Sequence, residues 1–202
     1  MKFLNTRRLR FIFGLLGLSA IATEIIVLVN QGVFNPSNFF SFFTIQSNII
    51  AALLLLYLAL TNAASYKIQV IRGATALYML MTGVIFALLL SGLTDVRLTA
   101  VPWDNTVLHY IMPIVVVLDW VLNPPKNKLP AKVVWAWVVF PFAYVAYTLV
   151  RGSIVSWYPY PFLNPQASSY AEVGAVSVVI AVLVVAAGFV LRSVQLGKKK
   201  RT

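Results

Sequence analysis

Phe39–Leu60 reads FFSFFTIQSNIIAALLLLYLAL, twenty-two residues without a charge, a proline or a glycine. A helix rises about 1.5 Å per residue, so about 20 apolar residues cross roughly 30 Å of hydrocarbon. This stretch is long enough to span a membrane, and five others resemble it: Leu9–Val29, Val70–Leu90, Thr106–Leu122, Val133–Val150 and Ala171–Leu191. The first follows Arg7, Arg8 and Arg10 as a signal peptide would. Its length, its Glu24 and the lack of a small-residue cleavage site make it a retained span. The composition agrees, with 202 residues at 60% hydrophobic and 10% charged, where soluble domains are about half apolar and roughly a quarter charged. The expected fold is all-α, a polytopic membrane protein forming a single six-helix transmembrane domain over residues 1–202.

The chain has no cysteine, which excludes disulfides, thiolate metal sites and cysteine nucleophiles. Its net charge of +11 suggests nucleic acid until it is mapped. Fourteen of the sixteen Lys and Arg residues lie at the N-terminus, in the loops after the second and fourth spans, or in the tail; only Arg97 and Arg151 lie elsewhere. The positive-inside rule then puts both termini in the cytoplasm of a multi-pass cell-membrane protein. The charge serves topology and no nucleic-acid partner is expected. The basic tail over 197–202 reads as a stop-transfer signal. Asn123-Pro124-Pro125 reads as an internal turn, and the prolines of Trp157-Tyr158-Pro159-Tyr160-Pro161-Phe162 exclude a regular helix there. That loop is expected on the outer membrane surface.

Ionisable groups inside a membrane are costly, so their depth is informative. By helix rise, Thr44 lies roughly 8 Å and His109 roughly 5 Å inside the outer face. Glu24 is again in the outer third, Arg151 ends the fifth span on that side, and Glu172 begins the sixth. Five unusual positions from five spans thus share one outer layer. In the second span Thr44, Ser47, Asn48 and Ala51 follow the i, i+3, i+4, i+7 spacing of one helix face. Such a stripe serves either close helix packing or a site.

His109 is the single histidine, too few for a bis-imidazole haem, and no metal ligand set or cofactor motif has a convincing spacing. A neutral imidazole suits a general base, and its natural client is a hydroxyl, here Thr44 or Ser47. Asp119 lies about 15 Å below His109 by helix rise, where Arg72 or Arg10 is its expected partner. Glu24 is expected either to orient His109 or to pair with Arg151.

Three segments in order, Phe42-Phe43-Thr44-Ile45, His109 through Pro113 to Asp119, and Trp157 through Asn164, resemble the six-helix membrane family of the androgen-induced protein and the androgen-dependent TFPI-regulating protein. Animal members are threonine hydrolases of fatty acid esters of hydroxy fatty acids. The resemblance implies a Thr44 nucleophile and a His109 base acting on a lipid ester that arrives sideways from the outer leaflet. Asn48 is the expected oxyanion donor and Arg151 the expected holder of a substrate carboxylate. Ser47, Glu24, Tyr160 and Asn164 complete the expected substrate-binding set, with Asn164 standing where the animal proteins carry an acidic residue. The alternatives are a non-catalytic lipid- or small-molecule-binding membrane protein, and a small transporter using Glu24 and His109 as a relay. A superficial polar layer fits a transporter poorly, because those sites lie near the midplane.

Overall fold

A computed structural model describes residues 6–61, 63–92 and 99–194; Arg97 and the basic tail fall outside them. The described elements are all helical: α1 (Thr6–Asn30), α2 (Pro36–Phe39), α3 (Phe43–Thr61), α4 (Tyr66–Ile85), α5 (Pro102–Thr106), α6 (Met112–Leu122), α7 (Val133–Val155) and α8 (Tyr170–Ser193). A π turn at Phe86–Leu90 extends α4, and a second at Val107–Ile111 joins α5 to α6. Among the described residues, six continuous helical segments are long and apolar enough to cross a membrane. They reproduce the six expected spans with shifted ends. The second begins at Phe43, because Asn35 caps and Pro36 opens the separate short helix α2. The fourth begins at Pro102, one turn before Thr106, and this brings Asp104 into it. The fifth runs on to Val155, so Arg151 lies inside it.

The chain divides at Asn123-Pro124 into two compact units, 1–123 and 124–202. In the first, α1 packs chiefly on α3, and α4 on α6. The buried residues of α1 are Gly14, Gly17, Ala20, Ile21 and Glu24, a stripe of small side chains ending in a carboxylate. Small residues let helix backbones approach in a membrane, where packing replaces the hydrophobic drive. A Cβ at Gly14 would lie 2.7 Å from Leu56 Cγ, and one at Gly17 2.8 Å from Met112 Cε. The opposite side of α1 exposes Ile12 and Ile26.

The end of this unit away from Thr44 is locked by charge. Asp119 accepts two hydrogen bonds from Arg10, at 2.8 and 3.1 Å, and one from Arg72 at 2.9 Å. Arg72 also donates to the Asn123 carbonyl, at 3.0 Å, and its guanidinium lies over Trp120. Both expected partners are therefore engaged at once, and α1, α4 and α6 are tied together. Arg7 donates to the Ala59 and Leu60 carbonyls in the last turn of α3, where a cation complements the helix dipole.

In the second unit α7 packs on α8. After α7 the chain turns through Ser156, whose φ of 53° is left-handed, and Tyr158 covers Gly152 so closely that no side chain fits there. Arg151 lies over the Trp157 ring at 5.1 Å, and Tyr160 stacks on Phe162 at 5.3 Å. A 3-10 turn at Pro161–Leu163 follows. The loop is thus folded by aromatic packing with no regular helix, as its prolines require.

Candidate functional site

Local sequence explains the distorted helix around His109. Pro113 has no N–H, so the carbonyl four residues before it, that of His109, loses its α-helical donor. The helix widens instead, with the Met112 N–H bonding Val107, five residues back. The next donor in that pattern would come from Pro113 to Leu108, and proline has none to give. Asn48 on α3 supplies it: its side-chain N–H groups reach the Leu108 carbonyl at 3.0 Å and the Thr44 carbonyl at 2.9 Å. Those two carbonyl oxygens are therefore no more than about 6 Å apart. The turn carrying Thr44 and the turn carrying His109 are bridged by one amide.

His109 is buried. Its ring stacks on Phe86, centroids 4.1 Å apart, so the two π turns meet face to face. Its Nδ1 lies 3.2 Å from the Asn105 carbonyl. A carbonyl only accepts, so Nδ1 carries the hydrogen and Nε2 keeps the lone pair in the neutral ring. Glu24 does not orient this imidazole; a backbone carbonyl does.

Thr44, Ser47, Asn48 and Ala51 are all buried, so the stripe faces protein. Thr44 is the second residue of α3, in the first turn, where the helix dipole favours negative charge. The Ser47 hydroxyl bonds both the Thr44 carbonyl, at 3.2 Å, and the Thr82 hydroxyl of α4, at 2.9 Å. Asn48 spends both amide hydrogens on carbonyls, which leaves none for an oxyanion. It is a tether between helices instead.

One residue of this layer was not anticipated. Asp104 is fully buried, and among the described residues no donor reaches either of its oxygens. Glu24 is buried too, and its carboxylate accepts the Ala100 N–H at 2.9 and 2.8 Å. The signal for Asp104 was Pro102, a favoured first residue of a helix with an acid in its first turn. Because no donor among the described residues reaches this buried carboxylate, Asp104→Asn is expected to match or exceed wild type in thermal stability in detergent, and clear destabilisation would refute that reading.

The remaining expected site residues belong to the second unit and have partners there. Arg151 meets Trp157 and Tyr160 meets Phe162, as above. Asn164 forms a turn, its side chain accepting the Gln166 N–H at 2.9 Å. Glu172 is exposed in the first turn of α8, whose N-cap is Ser169. Compared with known proteins, the chain matches no family model, no curated protein and no solved structure.

Proposed function

We propose that this protein is an integral membrane hydrolase of lipid esters, with Thr44 as nucleophile and His109 as general base. The observation that carries the reading is the Asn48 bridge, which holds the Thr44 and Leu108–His109 turns side by side within the membrane-spanning unit. The resemblance to the six-helix threonine hydrolases supports the same two residues. Both termini lie in the cytoplasm of a cell-membrane protein on this reading, with the Thr44 layer near the outer face, as the distribution of Lys and Arg supports.

The chemistry follows from the groups present. His109 Nε2 takes the Thr44 proton as the hydroxyl oxygen attacks the ester carbonyl. The positive end of α3 stabilises the charge that develops beside its first turn. The alcohol leaves with the proton from His109, and water then hydrolyses the acyl-threonine in the reverse sense. Asn48 positions the two turns and takes no part in proton transfer.

Fluorophosphonate probes react with base-activated hydroxyls and hardly with ordinary ones, which makes them the direct test. Detergent-purified wild type is expected to be labelled, Ser47→Ala to be labelled as well, and Thr44→Ala and His109→Ala to be blank. Loss in Ser47→Ala alone would move the nucleophile by one turn. A folded but unlabelled wild type would overturn catalysis in favour of a lipid-binding protein.

A further inference from the structure

A groove of about 300 Å³ opens between α4 and the helix that carries His109. Leu80 and Val84 form one wall, and His109, Pro113, Ile114 and Leu118 the other. The spacing on both walls is helical, so the groove runs along the helices. From His109 to Leu118 it extends roughly 13 Å at the α-helical rise. Apart from His109 and its neighbour Tyr110, the lining is hydrocarbon or glycine. Val84, Ile114 and Leu118 are 44%, 58% and 48% exposed. On a membrane-spanning helix, such exposed apolar side chains face lipid.

We infer that this groove seats one acyl chain of the substrate, with the ester at the His109 end and the chain running toward Leu118. The inference rests on the ester-hydrolase reading above and gives that site its substrate geometry. Its occupant is set by where the groove lies: two apolar walls within membrane spans meet acyl chains, and the polar end of the groove is at His109 and Tyr110. Lipid tails are as apolar as the side chains that line it, so seating a chain gains little affinity. What the groove supplies is orientation. It confines the first part of the chain alongside the helices and fixes the ester at the level of His109, where proximity lowers the barrier.

Chain length is therefore the readout. Purified wild type, Ile114→Trp and Leu118→Trp are compared on p-nitrophenyl acetate, octanoate and palmitate. Both substitutions fall on exposed positions, which spares the core. Ile114→Trp blocks the groove near its midpoint and is expected to lower kcat/KM for palmitate by roughly tenfold or more relative to its effect on acetate. Leu118→Trp blocks the far end and is expected to penalise palmitate more than octanoate. An equal fall for acetate and palmitate, or no fall for palmitate, overturns the groove as the acyl seat. If wild type cleaves none of the three esters, the hydrolase reading fails instead. The groove is then decided by a phosphatidylcholine carrying a diazirine in its acyl chain. Crosslinks to the α4 and α6 lining that vanish in Ile114→Trp would support a lipid seat, and their absence in wild type would overturn it.

Discussion

Asp119→Ala is expected to lower the stability of the detergent-solubilised protein by about 3–5 kcal/mol, the cost of stranding buried charge by removing its partner. The carboxylate meets Arg10 through two parallel bonds and Arg72 through a third, and all three side chains are largely shielded, at 12% exposure or less. Removing it leaves two guanidinium groups facing one another with no counter-charge. Arg8→Ala, at an exposed position, serves as the control and should stay within about 0.5 kcal/mol of wild type. The combined Arg10→Met, Arg72→Met, Asp119→Leu variant should recover much of the loss, because apolar replacement of a whole buried ion cluster is often neutral. Thermal unfolding of the four proteins decides the matter. If Asp119→Ala melts with wild type, the cluster contributes nothing to stability.

Asn48→Leu should act on stability and on chemistry together. The substitution keeps the volume and removes both amide donors. The Leu108 carbonyl then has no donor, because Met112 bonds Val107 and Pro113 has no N–H to offer. An unsatisfied buried carbonyl costs about 1–3 kcal/mol. Fluorophosphonate labelling at Thr44 should fall by roughly 100-fold, since small misplacement of reacting groups costs about that much. Pro113→Ala restores an N–H within reach of Leu108. In the double variant Asn48→Leu/Pro113→Ala, part of the lost stability should therefore return while labelling stays low. A double-mutant cycle measures this coupling directly. Strictly additive stabilities would show that proline and asparagine do not share the Leu108 carbonyl.

The six spans were legible because a membrane imposes length and apolarity on each one separately, and both can be read along the chain. The pairing of Asp119 with Arg10 and Arg72 was legible for a related reason: a buried acid at that depth has few cations within reach. The ends of the spans were less so. Pro102-Trp103-Asp104-Asn105 looks like loop by composition, yet proline suits the first turn of a helix, and reading it as loop concealed Asp104. Asn48 was visible as a polar residue on the Thr44 face, but its use was not. A side-chain amide serves equally as oxyanion donor or as tether, and only the location of the Leu108 carbonyl decides between them. That carbonyl lacks a donor from its own helix because of Pro113, a cause five residues away on a different helix from Asn48.

The charge cluster also has an order in time. Arg10 precedes Asp119 by 109 residues and Arg72 precedes it by 47. At a synthesis rate of about 5–20 residues per second, Arg10 leaves the ribosome roughly 5–20 s before its acid, and Arg72 roughly 2–9 s before. During that interval the first and third spans each carry a cation without its partner, which is tolerable only while the long side chains reach back to the lipid headgroups. The arrival of the fourth span ends the wait by drawing both arginines onto one carboxylate. A nascent chain cut short before Asp119 would keep the α1–α3 pairing and lack the acid that ties α1, α4 and α6 together.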